Sequence, residues 1–298
     1  MKLFNELVEK KKKEKEEKMK LKEKELSVAL WDAIRNNNIE FLKTRINAGA
    51  NVNYIYHNRS TALMLAIDKN NFEIVKILIE SGADVNLKVK DIRLLYFGGD
   101  NYTTDFTPLM CACAYGNKEI VKALIETGAN INDVNERGWS ALILACMYGR
   151  RDVVKLLIEA GADVNCRDNG NVSGLMYAAH NINPNVLKVI NRGFKLLLFK
   201  PRETVEMDNY KEIVETLINA GADVSFQCEY GTTALHAAVG VLHLNDEEVT
   251  KTSKEVIHLL VNAGADPYIE DCHGHNVFDY LKNVEGRVDV TKDILIKS

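Results

Sequence analysis

The sequence predicts an all-α solenoid built from short helix–turn–helix repeats, and its periodic features carry that prediction. A Gly-Ala-Asp/Asn signature recurs at six glycines, which are separated by 33, 46, 33, 60 and 43 residues. A second signature, a Ser or Thr that opens a short apolar helix, recurs between them. The two signatures keep a constant spacing except at three places, so the base period is 33 residues with insertions of 13, 27 and 10 residues. Such a period is typical of repeat proteins, in which each unit packs only on its neighbours.

Residues 137–165 show one complete unit. Ser140 is a favourable N-cap for a first helix, and Gly149 ends that helix. Residues 153–158 form a second, more apolar helix, and Gly161 follows where a helix C-terminus accommodates positive φ. One such unit exposes too much apolar surface to be stable alone, which indicates that its neighbours complete the fold.

The helix starts carry a family resemblance. The stretch that begins Thr107-Pro108-Leu109-Met110 is close to the T-P-L-H-x-A start of ankyrin repeats, and the period is the same. Related starts occur at Thr61, Ser140, Ser173 and Thr233. The chain therefore resembles the ankyrin-repeat family over roughly residues 27–290. The resemblance implies an all-α ankyrin-repeat solenoid of about six to seven repeats, including caps, with β-hairpin or turn fingers between them.

The predicted domains are a charged extension, residues 1–26, and a repeat domain, residues 27–298. The extension contains ten lysines and seven glutamates. We expect it to be solvated and frayed, with an exposed single helix supported by Lys/Glu pairs as the alternative. A coiled-coil arm and contact with an anionic surface are weaker alternatives, because an apolar seam is missing and the glutamates offset most of the charge. No apolar run predicts a signal peptide or a membrane span.

Three insertions interrupt the repeats. The insertion near residues 87–104 is predicted to be a β-hairpin finger or a disordered loop. The insertion at 181–208 is predicted to be an extra helix or turn packed on the solenoid, or a docking patch if its apolar strip is exposed. A smaller insertion, 242–253, separates the helices of repeat six. Residues 28–53 resemble an N-terminal cap, and an incomplete seventh unit starting at His273 resembles a C-terminal one.

Composition argues against several functional classes. The net charge is −4 and the repeats contain no long basic stripe, so we expect no nucleic-acid binding. Of six cysteines, Cys113 and Cys146 share one small apolar repeat position, which predicts core thiols and a reducing compartment. Cys272, His273 and His275 cluster on one turn, but no second ligand pair follows, so we expect no metal. No phosphate loop or nucleophile motif is present, so we expect no catalytic residue, no cofactor and no enzymatic activity.

The resemblance also implies where a partner binds. Ankyrin repeats hold partners on the concave face, through turn tips and exposed positions late in the first helix. Carried onto this sequence, that pattern selects Phe106, Tyr115, Glu136, Arg137, Trp139, Met147, Tyr148 and Tyr230. Aromatic residues exposed at such positions form binding hot spots. The alternative is that these rings pack on the neighbouring repeat. His236 occupies the histidine position of the family motif and is expected to brace its turn.

The predicted function is a non-catalytic protein–protein interaction scaffold, monomeric and without membrane or nucleic-acid contact. Its expected location is the cytoplasm, or a host cell reached without a Sec signal, since the Lys-, Asn- and Ile-rich composition hints at a bacterial genome. Two alternatives remain open. The N-terminal arm could tether the chain to membrane or nucleic acid, or the insertions and the turn around Cys272 could carry a site of their own.

Overall fold

The structure is a computed structural model of the 298-residue chain, and it describes residues 2–56, 60–90, 105–180, 207–244 and 247–282. Within these ranges the chain is helical, and its β-structure is limited to isolated bridges. The all-α prediction is confirmed. The chain forms two compact units, one made of Met1–Asp91 with Phe106–Pro108 and the other of Ile92–Asp105 with Leu109–Ser298.

The first unit begins with a long helix that crosses the predicted domain boundary. Helix α1 runs without a break over Lys2–Arg35. Its residues 9–25 are exposed, as predicted, but the expected fraying is wrong. Lysine and glutamate are good helix formers, and the buried end of α1 supplies a folded helix on which they continue. The remaining helices of this unit are α2 (Ile39–Asn47), α3 (Ala62–Asp68) and α4 (Phe72–Glu80).

The buried end of α1 is fixed to the rest of the first unit by polar and aromatic contacts. The Ser27 hydroxyl donates to the Glu23 carbonyl at 2.7 Å and accepts from the Asn51 N–H at 3.0 Å. One turn later the Trp31 ring stacks on Tyr56, with centroids 4.5 Å apart. The apolar face predicted for the first helix of this cap is buried, as Leu30, Ala33 and Ile34 show.

The second unit contains the more regular repeats. Its helices are α5 (Pro108–Tyr115), α6 (Lys118–Glu126), α7 (Ala141–Met147), α8 (Arg151–Glu159), α9 (Gly174–His180), α10 (Met207–Asn219), α11 (Ala234–Gly240), α12 (Glu247–Asn262) and α13 (Val277–Leu281). Proline occupies the first position of α5, as predicted, since its missing N–H is not needed there. The side chains of Ser140 and Thr233 cap α7 and α11.

The second helices of the repeats begin differently along the chain. Asn117 caps α6, because its side-chain oxygen accepts from the Ile120 N–H at 2.8 Å. The equivalent position before α8 is Arg150, which makes no side-chain cap. Its Nε instead donates to the Ala114 carbonyl at the end of α5, at 3.1 Å. A cation is favourable there, because the last carbonyls of a helix carry partial negative charge. Arg150 therefore joins two repeats.

The repeat register survives the largest insertion. The Asn132 side chain accepts from the Asp163 N–H at 2.9 Å and donates to the Gly161 carbonyl at 3.2 Å. Asn165 makes the same two bonds to Asp223 and Gly221, at 2.9 and 3.2 Å, although the added residues lie between. The insertion thus leaves the stacking of its flanking repeats unchanged.

Parts of the predicted insertions lie outside the described residues. They are 91–104, where a hairpin finger was predicted, and 181–206, where a helix or docking patch was predicted. In the first unit, Val89 and Phe106 flank residues 91–104 and exchange backbone hydrogen bonds of 2.9 and 3.1 Å. The smallest insertion contains a 3-10 helix, Val241–Leu244, and lengthens α12 to 16 residues. The predicted closing helix at 290–296 also lies outside the described residues.

Candidate partner-binding surface

The turn tips of the second unit form the candidate surface. We number them by repeat, with tip four at 135–139, tip five at 168–172, tip six at 228–232 and tip seven at 271–275. In each tip the first N–H donates to the fifth carbonyl, at 3.1, 3.1, 3.0 and 2.9 Å in that order. In each tip the fourth residue has positive φ, at Gly138, Asn171, Gly231 and Gly274. The four tips therefore share one backbone conformation.

Backbone hydrogen bonds join each tip to the next. The Asn169 N–H donates to the Arg137 carbonyl at 3.0 Å. The Glu229 N–H then donates to the Gly170 carbonyl at 3.1 Å, and the Cys272 N–H to the Tyr230 carbonyl at 2.8 Å. This series, which we call the tip ladder, uses main-chain atoms only. Side chains along it can therefore differ without breaking it.

The close approach of the tips requires glycine at two of them. A Cβ atom on Gly138 would lie 2.7 Å from the Asn169 backbone nitrogen. A Cβ atom on Gly231 would lie 2.9 Å from Asp271 Cα and from the Cys272 nitrogen. Gly274, in the last tip, has a similar φ but no atom within 4 Å of such a Cβ. Gly138 and Gly231 therefore permit the close approach of neighbouring tips as well as the positive φ of the turn.

Two tips are also fixed by a carboxylate. Asp168 Oδ1 accepts from the N–H groups of Gly170 and Val172, at 2.9 and 2.8 Å. Its Oδ2 accepts from the Tyr177 hydroxyl at 2.5 Å. Tip seven repeats this arrangement, since Asp271 accepts from two tip N–H groups and from the Tyr280 hydroxyl at 2.6 Å. These pairs were not predicted from the sequence. Their signal is an Asp followed nine residues later by a Tyr, in two repeats.

The exposure expected at four of the predicted partner-binding residues is wrong. Relative exposures are 1% for Phe106, 6% for Trp139, 6% for Met147 and 4% for Tyr148. Phe106 belongs to the first unit and the other three to the second. A partner cannot cover side chains that are already buried, so these four side chains match the alternative of packing within the fold.

Trp139 is buried with its polar edge toward Tyr177 of the next repeat. A side-chain hydrogen bond joins it to Tyr177, which in turn donates to Asp168. Burial raises the pKa of Tyr177, and the neighbouring Asp168 carboxylate raises it further. The Arg137 guanidinium lies over the Trp139 ring, 5.1 Å from its centroid. The indole is thus enclosed by its own tip and by α9.

Met147 and Tyr148 are covered through α10. The Tyr210 hydroxyl donates to the Met147 carbonyl at 3.3 Å, the same link that Arg150 makes to Ala114 one repeat earlier. Burial raises the pKa of Tyr148 well above its ordinary value, and nearby Tyr210 and Tyr177 add to that effect. These late-helix positions therefore take part in inter-repeat packing.

The other predicted residues remain accessible. Tyr230 is 41% exposed, Glu136 is exposed, and Tyr115 and Arg137 are partly exposed. The Glu136 N–H donates to Asp105 Oδ1 at 2.9 Å, a bond to a side chain that holds tip four in addition to the main-chain ladder. Three of these four residues lie on the tips, and their role in partner binding stays a prediction.

The histidine prediction and most of the cysteine predictions are confirmed, but two cysteines are more exposed than expected. His236 braces its turn as expected, because Nδ1 accepts from the Thr233 N–H at 3.3 Å. Burial lowers the pKa of this imidazole.

Cys111, Cys113, Cys146 and Cys228 are buried thiols, as predicted, but Cys166 is partly exposed and Cys272 is exposed. Burial raises the pKa of Cys113.

Within the described ranges, no group of three or more His, Cys, Asp or Glu side chains is placed to hold a metal ion. The rings of His273 and His275 lie 6.2 Å apart, centroid to centroid. Over the same ranges, no helix combines the length and apolar character that a bilayer span requires.

Comparisons with known proteins agree with the repeat architecture. A family model described as ankyrin repeats (3 copies) matches residues 2–89 and 90–168, and an ankyrin-repeat model matches residues 230–272. No curated protein matches the chain.

Solved structures share the fold. The human ASB11 ankyrin repeat domain has a TM-score of 0.63 at 23% identity, over 90% of this chain and 97% of that one. The ankyrin repeat domain of Bcl-3, described as a unique member of the IkappaB protein family, has a TM-score of 0.62 at 21% identity, over 89% of this chain and 97% of that one. With the 33-residue period, the shared tips and the family models in agreement, the chain belongs to the ankyrin-repeat family.

Proposed function

We propose that this chain is a non-catalytic protein-binding module that contacts its partner through the tips of its second unit. Ankyrin repeats are generally protein–protein interaction modules, and this coarser function follows from the family. The assignment of the contact surface to the tips is supported by one observation: their backbones are fixed by the tip ladder, while their exposed side chains vary from tip to tip. Positions late in the first helix of a repeat contribute less to the proposed binding surface, because Met147 and Tyr148 are buried.

The tip ladder is suited to binding because little of it needs to be ordered on docking. Immobilising a side chain or loop at an interface costs about 0.5–1.5 kcal/mol for each flexible group. The tip backbones already have their hydrogen-bond partners in the neighbouring tips. Side chains carried on such a backbone, including Tyr230 and Glu136, can contact a partner without reorganising the repeats.

We propose that the chain acts as a monomer, without cofactor, metal or nucleic acid. We place it in a reducing compartment, the cytoplasm or a host cell, since its six cysteines are all free thiols.

Affinity capture from native lysate tests the proposal, using wild type, Tyr230→Ala and a matched control. Phe72→Ala is that control, because Phe72 is an aromatic residue of the first unit and is 42% exposed, against 41% for Tyr230. We expect a protein retained by wild type and by Phe72→Ala, and retained about tenfold less by Tyr230→Ala, as for a hot-spot residue. Circular dichroism establishes that each variant is folded. Equal recovery of every captured protein by Tyr230→Ala and wild type would refute the assignment to the tips.

A further inference from the structure

The four tips differ in how firmly each is tied to its own first helix. At the first tip position the residues are Asn135, Asp168, Cys228 and Asp271, and nine residues later they are Leu144, Tyr177, Ala237 and Tyr280. Only the Asp–Tyr combinations place a hydroxyl on a carboxylate, at 2.5 Å in tip five and 2.6 Å in tip seven. We call these two contacts the tip locks. Hydrogen bonds to an ionised acceptor are roughly twice as strong as neutral ones.

Tip six has no lock of its own. Its first residue, Cys228, makes a thiol–hydroxyl contact with Thr232 at 2.9 Å, which is a weaker kind of interaction than a carboxylate bond. Its backbone is held from both sides, because the Glu229 N–H bonds to Gly170 of tip five and the Tyr230 carbonyl bonds to Cys272 of tip seven. The Gln227 Nε2 also donates to the Gly231 and Glu270 carbonyls, at 2.8 and 3.0 Å. The position of tip six therefore depends on Gln227 and on the two locked tips that flank it.

Tip six is also the tip that presents an exposed aromatic ring. Tyr230 has one of the most exposed large side chains among the described residues of the second unit. An exposed tyrosine on a fixed backbone is well suited to anchor a partner, since tyrosine gives large contact area at low entropic cost. Its neighbour Glu229 is exposed as well.

The charge around this ring is mainly negative. Next to Tyr230, Glu229 of tip six and Glu270, directly before tip seven, are exposed, and the exposed cation is Arg167, directly before tip five. Tip four, further along the ladder, carries the exposed Glu136 beside the partly exposed Arg137. The Arg167 guanidinium lies over the Phe226 ring, 3.5 Å from its centroid, so the cation is directed to a ring of the same chain. The surface beside Tyr230 thus offers carboxylates and an aromatic face, a combination that complements a guanidinium or ammonium group.

We propose that tip six is the anchor of the binding surface, that the two tip locks position it, and that its partner is a protein segment rich in arginine and lysine. This inference rests on the proposed function, since it specifies the partner of the same surface. Tyr177 and Tyr280 act as positioning residues, because their hydroxyls fix the tips beside Tyr230 without facing the partner. The glutamates supply charge complementarity, which affects mainly the rate and specificity of association.

A displayed library of random peptides, selected on the whole chain, tests the chemistry of the partner. We expect the selected peptides to carry net positive charge and to bind about tenfold more weakly to Tyr230→Ala. Glu229→Gln should also weaken them, and added salt should reduce their affinity for wild type. The matched control is Glu126→Gln, since Glu126 is an exposed glutamate on helix α6, outside the tips.

Hydrogen exchange and affinity test the locks. The double variant Tyr177→Phe/Tyr280→Phe removes both hydroxyls, and we expect faster amide exchange in peptides covering tip six and a roughly tenfold loss of peptide affinity. Tyr210→Phe serves as the control, because it removes a hydroxyl that bonds to the Met147 carbonyl instead of a tip. Unchanged exchange and affinity in the double variant would overturn the positioning role.

The outcomes separate this inference from the proposed function. Peptides that depend on Tyr230 but are acidic or neutral would overturn the basic partner and leave the tips as the binding surface. Peptides that are insensitive to Tyr230→Ala, or a selection that yields no binder, would overturn both. Basic peptides that lose affinity in Tyr230→Ala, Glu229→Gln and the double lock variant, but not in the controls, would support the inference in full.

Discussion

Replacing Trp139 with alanine is expected to lower the free energy of unfolding of the second unit by about 3–5 kcal/mol, the range for aromatic truncations in protein cores. The residue is 6% exposed, so nearly the whole indole would be replaced by a cavity. Its hydrogen bond to Tyr177 would be lost as well, and Tyr177 is the side chain that locks tip five through Asp168.

The assay is denaturant unfolding followed by circular dichroism and fluorescence. The chain has two tryptophans, Trp31 in the first unit and Trp139 in the second. In Trp139→Ala the remaining fluorescence reports Trp31 and hence the first unit alone. Circular dichroism reports the helices of both units. A stability loss in the second unit should therefore appear in the dichroism transition before it appears in fluorescence.

Two further variants define what the result means. Trp139→Phe keeps an aromatic ring but removes the N–H, so we expect a smaller loss than for alanine, on the order of 1–2 kcal/mol. Tyr230→Ala truncates an exposed ring and should change stability by no more than about 0.5 kcal/mol. If Trp139→Ala also stayed within about 0.5 kcal/mol of wild type and weakened partner capture, the ring would be a surface hot spot and our reasoning from burial would be refuted.

Two other predictions concern tips six and seven. Burial raises the pKa of Asp271, but hydrogen bonds from the Tyr280 hydroxyl and from the N–H groups of His275 and His273 outweigh it, so the pKa lies below its ordinary value. A lowered native pKa stabilises the fold above the unfolded value and stops doing so as the pH falls through the native value. The stability difference between wild type and Asp271→Asn, measured by denaturant unfolding, should thus shrink below about pH 4; a constant difference would contradict this. Separately, Gly231→Ala should cost about 1 kcal/mol more than Gly274→Ala in thermal unfolding. Both residues have similar positive φ, and only the first would clash with a neighbouring tip; equal losses would count against the ladder.

Local signals in the sequence were sufficient for most of the fold. The N-caps at Ser140 and Thr233 and the positive φ of Gly161 depend on residues within one turn of the chain, and all three are observed. The register across the insertion at 181–208 was also predictable. The insertion lengthens the spacing between Gly161 and Gly221 to 60 residues but leaves the spacings on either side of it unchanged. The hydrogen bonds of Asn165 show that the repeats stack in the same register.

Side-chain burial at the tips could not be predicted in the same way. A residue such as Trp139 can face a partner or the next repeat, and the residues around it in the sequence do not distinguish the two. The continuity of α1 was missed for a related reason. Lys/Glu pairs indicate that a helix is possible, whereas its observed length depends on the buried residues after Ser27 that fix its end.

The tip ladder explains how one repeat fold can carry different surfaces. Its bonds join main-chain groups, so a tip stacks on its neighbour whether it carries Arg137, Gly170 or Tyr230 at the bonding carbonyl. Stability is then set at other positions, by glycines that permit close approach and by carboxylates that fix the turns. An aromatic residue at a tip is consequently no evidence of binding by itself. Trp139 is buried at such a position, whereas Tyr230, at another, is 41% exposed.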